Sequence, residues 1–175
     1  MEKTAIIAAL VEHKPGVLFK VANMFRRRDF NIDGITVGVS EHRDLARMTI
    51  TVKGDEVIRE QVVRQLRKLV EVLYVDTLPI GDTVQRELAL VKLKVGGAEA
   101  RRELMDYTNI FRGRIIDASP QSMIVEITGT PDKMDAFINL VSKYGILEIA
   151  RTGITALVRG KGSYYDSFIQ SVGVE

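Results

Sequence analysis

The segment Thr4–Val11 constrains this chain more tightly than any other. Its residues alternate without a polar face: Ile6, Ala8 and Leu10 fall on one side, Ile7, Ala9 and Val11 on the other. A half-solvated strand alternates apolar with polar residues, so a strand apolar on both faces must be covered on both. A sheet built around it therefore has a helical layer on one side and a second cover on the other. With 175 residues, 46% hydrophobic and 27% charged, the chain has room for one or two ordinary globular domains.

The segments after this strand set the architecture. Residues 16–28 carry apolar residues at Val17, Leu18, Val21, Ala22 and Phe25, a helical stripe. Ile32–Val39 reads as a strand with Ile35, Val37 and Val39 on one face. Leu45–Val52 alternates with Met48, Ile50 and Val52 inward and Arg47, Thr49 and Thr51 outward. Asp55–Val70 is a second helix with Val62, Val63, Leu66, Leu69 and Val70 as its stripe, and Val72–Leu78 is a closing strand. After a linker at Pro79–Thr83 the order recurs. The second round is strand Leu88–Val95, helix Ala98–Phe111, strands Gly113–Ala118 and Met123–Thr128, helix Pro131–Tyr144 and closing strand Leu147–Val158. Pro131 suits a first helical position.

This order predicts an α+β chain of two tandem ferredoxin-like (βαββαβ) α/β sandwich domains, residues 1–78 and 79–160, with a tail over 161–175. Each sheet is left with one helix-free face, and domains this small bury only about 60–65% of their unfolded surface. We expect each open face to be covered by a second copy, making a homodimer. Tyr164, Tyr165, Phe168 and Ile169 give the tail apolar groups able to dock.

Composition excludes several functions. There is no cysteine, hence no disulfide, thiolate metal site or cysteine nucleophile. The two histidines, His13 and His42, stand in no metal-ligand spacing, and no nucleophile elbow accompanies either. Catalytic and metal-binding residues are expected to be absent. Net charge is only +2, a weak pull on a polyanion. The triplet Arg26-Arg27-Arg28 reads as a solvated helix end favoured by the macrodipole, with a phosphate patch as the alternative. Gly160-Lys161-Gly162-Ser163 lacks the spacing of a phosphate loop and reads as tail. RNA-binding domains of this strand order stack bases on aromatic residues of the central strands; Thr4–Val11, Leu45–Val52, Leu88–Val95 and Met123–Thr128 carry none. No apolar run approaches the roughly 18 residues of a membrane span, and Met1-Glu2-Lys3-Thr4 has no signal-peptide layout. The expected setting is cytoplasmic, with neither nucleic acid nor membrane as partner.

One segment points to a small ligand. Glu12-His13-Lys14-Pro15-Gly16 stands where a strand turns into a helix, leaving the helix's first N–H groups open to an anion. Asn31 opens the next strand with an amide that both donates and accepts, in apparent reach of the same mouth. Apolar walls, a helix start and an amide suit a small apolar amino acid. Equally, Pro15-Gly16 reads as a tight turn and Asn31 as the first residue of a strand.

Longer matches identify a family. The chain resembles the regulatory small subunit of acetolactate synthase (acetohydroxyacid synthase), in which an N-terminal ACT domain precedes a second ferredoxin-like domain. The resemblance covers residues 3–160. It rests on Glu12-His13-Lys14-Pro15-Gly16-Val17-Leu18, Phe30-Asn31-Ile32 with Ile35-Thr36-Val37, Arg47-Met48-Thr49-Ile50 and Gln65-Leu66-Arg67-Lys68-Leu69-Val70. Further on it rests on Arg86-Glu87-Leu88-Ala89-Leu90-Val91-Lys92, Ile110-Phe111-Arg112-Gly113-Arg114-Ile115-Ile116-Asp117, Lys133-Met134-Asp135-Ala136-Phe137 and Glu148-Ile149-Ala150-Arg151-Thr152-Gly153. The resemblance implies a subunit without catalytic residues or cofactors of its own. Its implied partner is a large catalytic subunit carrying thiamine diphosphate, Mg²⁺ and FAD, which condenses pyruvate with pyruvate or 2-oxobutyrate in branched-chain amino acid biosynthesis. The small subunit is expected to activate that partner and to confer feedback inhibition, usually by valine held between two ACT domains. The family's loop glycine falls on Gly16 and its amide ligand on Asn31; an asparagine common in bacterial members falls on His13. The effector-binding set so implied is His13, Pro15, Gly16, Val17, Leu18, Asn31 and Ile32. The alternative is a stand-alone amino-acid sensor acting on another protein or on transcription.

Overall fold

The structure is a computed structural model that describes residues 3–160 together with Tyr165, Asp166 and Phe168. The elements of the first round are β1 (Lys3–Glu12), α1 (Val17–Arg27), β2 (Ile32–Val39), β3 (Leu45–Gly54), α2 (Glu56–Leu66) and β4 (Val72–Thr77). The second round comprises β5 (Thr83–Lys94), α3 (Ala98–Ile110), β6 (Arg114–Ala118), β7 (Ser122–Gly129), α4 (Pro131–Val141) and β8 (Ile146–Arg151), followed by β9 (Thr155–Val158). Two ferredoxin-like sandwiches result. The compact units are not linear halves of the chain: one comprises Met1–Val84 with Ile154–Glu175, the other Gln85–Gly153.

In the first unit the sheet order is β2-β3-β1-β4, antiparallel throughout, with Ala5 opposite Val52 and Val11 opposite Ala46. Ile7, Ala9, Val11, Met48, Ile50 and Val52 face the two helices and bury against Val21, Phe25, Val62 and Leu66. α2 starts where the Asp55 carboxylate accepts a hydrogen bond from the Ile58 N–H at 2.9 Å, a conventional N-cap. It ends earlier than its apolar pattern predicts. The Leu69 N–H turns back to the Leu66 carbonyl at 3.0 Å, and Val70, expected in the stripe, is 89% exposed. The tightened turn after Leu66 rotates Val70 off the buried face.

The other face of this sheet carries the second cover that β1 demands, and the chain supplies it. Ile6, Ala8 and Leu78 bury with Ala156, flanked by Ile154 and Val158. Leu10 and Leu45 bury with Tyr165, flanked by Leu73, Tyr74 and Phe168. The expectation that a second copy covers this face is therefore corrected for the first unit. Thr49 and Thr51, expected outward, are buried for the same reason. Two hydrogen bonds pin the cover: Thr36 Oγ1 donates to the Ile154 carbonyl at 3.1 Å and Arg47 Nη2 to the Ala156 carbonyl at 3.0 Å. Tyr165 Oη donates to the Glu41 carboxylate, 2.6 Å from Oε1, while the Arg47 guanidinium lies 5.7 Å from the Tyr165 ring centroid. Tyr164, Ile169 and Lys161–Ser163 lie outside the described residues.

The segment Leu147–Val158, expected as one strand closing the second domain, is two strands. Gly153, at φ 81, turns the chain in a conformation that favours glycine, and β9 belongs to the first unit. In the second unit the order is β6-β7-β5-β8. Val91, Leu93, Val125 and Ile127 pack beneath Leu104, Met134, Phe137 and Val141. Its helix-free face alternates apolar with charged groups: Leu90 stands opposite Glu126, and Lys92 opposite Ile124 and Glu148. Arg151 ties β8 to two carboxylates, Nη1 lying 2.9 Å from Asp135 Oδ1 and Nη2 2.5 Å from Glu87 Oε2.

Candidate functional site

The strand-to-helix turn stands where the sequence has it. β1 ends at Glu12, His13 and Lys14 follow, and Pro15-Gly16 form the turn into α1. Gly16 is the N-cap at φ 87, ψ −10, with no side-chain capping bond. An L side chain is strained in this backbone, yet space for a Cβ there is open, with no heavy atom within 4 Å. The Lys20 N–H donates to the Gly16 carbonyl at 3.0 Å, and the Val17 N–H makes only a long 3.4 Å contact to the Lys14 carbonyl. Among the described residues, the N–H groups of Leu18 and Phe19 have no acceptor. They are the orphan donors that every helix start presents, here open to solvent and reinforced by the dipole.

Apolar groups surround these donors. Val17 is buried in the core, whereas Leu18 is exposed and Phe19 is 72% exposed. Exposed apolar surface thus adjoins the uncapped N–H groups. Phe19 is absent from the sequence-derived set because its position falls off the buried stripe. His13 is exposed, and its backbone N–H donates to the Asp44 carbonyl at 2.8 Å, which fixes the turn against the β2–β3 loop.

Asn31 and Ile32 are elsewhere. β2 runs parallel to β1, since both are antiparallel to β3, so β2 begins level with the beginning of β1: Ile32 pairs with Val52, which pairs with Ala5. Gly16 lies past the other end, beyond Glu12. Seven strand residues at about 3.3 Å each put roughly 23 Å between the two levels. The reading that Asn31 reaches the Gly16 mouth is thus corrected for a single chain. Asn31 is exposed and Ile32 half-buried against the core.

Residues 7–74 match the AHAS small subunit-like ACT domain, and residues 86–160 match the small subunit of acetolactate synthase. A probable acetolactate synthase small subunit of Methanothermobacter thermautotrophicus is 54% identical over 157 residues, spanning 90% of this chain and 94% of that one. The chain belongs to the acetolactate synthase small-subunit family. The small subunit of Mycolicibacterium smegmatis is 40% identical over 157 residues, 90% of this chain and 92% of its own length. The crystal structure of the small subunit from Thermotoga maritima superposes with a TM-score of 0.84 at 46% identity, covering 91% of this chain and 99% of that one. In this family the chain's role is regulatory rather than catalytic. Among the described residues no group of three His, Cys, Asp or Glu side chains is placed to hold a metal, and no helix is long and apolar enough to cross a membrane.

Proposed function

We propose that this chain is the regulatory subunit of an acetolactate synthase. It raises the activity of a thiamine-diphosphate-dependent large subunit and makes that activity answer to a branched-chain amino acid, valine first. The cofactors, thiamine diphosphate, Mg²⁺ and FAD, belong to the large subunit. The uncapped start of α1 at Gly16, within a domain matching the family's ACT domain, is the observation that carries the reading.

The effector site is completed by a second copy. β2 is an edge strand with Val37 and Val39 exposed along it. Two β2 edges paired antiparallel about a two-fold axis place the start of one strand beside the end of the other. Val39 is level with Ala46 and Val11, at the Gly16 end of the sheet. The partner subunit's Asn31 and the partner subunit's Ile32 then come to the mouth that the same chain's Asn31 cannot reach. The valine carboxylate accepts from the Leu18 and Phe19 N–H groups, with Pro15, Val17 and Leu18 walling the side chain and His13 at the rim. A helix dipole contributes about 0.3–1 kcal/mol and burial of an isopropyl group about 1.5–3 kcal/mol. Micromolar affinity needs about 8 kcal/mol, so contacts from the second protomer are required, and ligand binding is tied to dimer geometry. Feedback inhibition follows when the liganded dimer fits the large subunit less productively than the empty one.

The test is reconstitution. The purified chain alone turns over no pyruvate, mixing it with its cognate large subunit raises the synthase rate, and valine lowers the rate of the mixture. An unchanged rate on mixing overturns the proposal.

A further inference from the structure

The outer surface of the first unit's helices holds a cleft of about 290 Å³ that the regulatory reading does not use. Its rim is cationic: Arg27 and Arg28 at the end of α1, Lys20 one turn into that helix, and Lys68 just past α2. Lys20 is paired with Glu71. Among the described residues Arg27, Arg28 and Lys68 have no ion-pair partner, and none of the residues lining the cleft is acidic. This concentration of charge sits in a chain with a net charge of only +2 and 23 acidic residues. Helix macrodipoles favour cations at helix ends, but they do not account for the rest of the lining. Asn23 and Gln65 are half-buried on the cleft wall, and neither amide has a hydrogen-bond partner among the described residues. Met24 and Leu69 line the cleft with apolar surface.

We propose that this cleft is a binding site for an organic phosphate, a phosphorylated small molecule whose phosphoryl groups lie among Arg27, Arg28 and Lys68 and whose body lies on Met24 and Leu69. Guanidinium forks match phosphate oxygens in pairs. The free amides donate to and accept from the polar edge of the ligand's body. The volume is near the lower end for small-molecule pockets, larger than a bare phosphate needs.

Calorimetric titration of the full chain with ADP, pyrophosphate and sulfate at matched ionic strength tests this. ADP binds saturably at one site per chain, tighter than pyrophosphate, and sulfate binds weakest. The double variant Arg28→Glu with Lys68→Glu weakens ADP at least tenfold. A pair with the same charge change in the second unit, Lys94→Glu with Arg102→Glu, leaves ADP binding unaltered. Gln65→Leu weakens ADP while leaving pyrophosphate unchanged. The proposal is overturned by absence of saturable binding, by equal losses in the two double variants, or by pyrophosphate or sulfate matching ADP. The outcome is independent of whether valine binds at Gly16.

Discussion

At the scale of single residues, Gly16 and Tyr165 carry the sharpest consequences. Gly16→Asp adds a negative charge where an effector carboxylate is proposed to sit, in open space and at a backbone angle that costs a non-glycine residue about 1–2 kcal/mol. The reconstituted complex should remain active and lose inhibition by valine. Gly16→Asn has the same size without the charge and tolerates this backbone better, so it should keep part of the inhibition. Synthase activity across a valine titration separates the two, and equal inhibition of Gly16→Asp and parent would exclude the site. At Glu41, burial pushes the carboxyl up, but the Tyr165 hydroxyl bond and the charges of His42 and Arg47 outweigh it, leaving the group below its ordinary value of 4.5. A carboxylate depressed in the fold contributes stability that is fully present above its unfolded pKa and lost as pH falls through the folded value. Tyr165→Phe should therefore lose less stability than the parent on acidification below pH 4.5, the difference vanishing at neutral pH after correction for the constant offset. Denaturant unfolding at several pH values measures this; parallel profiles for the two proteins would show that the Tyr165–Glu41 bond is not coupled to folding.

Among the elements, β2 is the edge on which the proposed dimer depends. Its outer edge is unpaired by any strand of the chain among the described residues, and Val39 is 62% exposed on it. Edge strands that must stay single are usually guarded by inward charges, lysine or proline; between Ile32 and Val39 the single charged residue is Asp33, near the start. Val37→Lys with Val39→Lys should convert a dimer to a monomer in sedimentation velocity and, because Asn31 then has no partner mouth, abolish valine binding. A double variant that stays dimeric would move the interface to another surface. β1 is the contrasting element. Its two apolar faces are both satisfied inside the chain, one by α1 and α2 and the other by residues 154–158 with Tyr165. Helix α2 shows how local chemistry sets a boundary: Asp55 caps its start, and the turn closing on Leu66 ends it despite apolar residues that continue to Val70.

For the whole molecule, the order of elements is repeated but the division into units is not. The chain leaves the first unit at Val84 and returns to it at Ile154, so residues 154–158 and Tyr165 pack into the first unit. Truncation after Gly160 should expose Leu10, Leu45 and Tyr74, remove burial worth about 2–3 kcal/mol from Tyr165, and lower the unfolding midpoint of that unit by several degrees. Thermal unfolding with an environment-sensitive dye measures both, and an unchanged midpoint would mean that the Tyr165 contacts add nothing to stability. The sequence by itself determined the local and periodic features. Alternation marked the strands, the 3.6-residue stripe marked the helices, and the doubly apolar β1 announced that its sheet is covered on both sides. It also held the Gly16 turn, because a strand end, Pro-Gly and a helix start are neighbours in the chain. Which group covers β1, and where Asn31 lies, only the tertiary structure decided. Both are questions of register and chain return: β2 starts level with Ala5 because two antiparallel pairings through β3 make it parallel to β1, and Ile154–Val158 meets Ile6 and Ala8 across an intervening unit of the chain. Hydrophobic burial is non-directional, so the pattern on β1 demanded a cover without naming it.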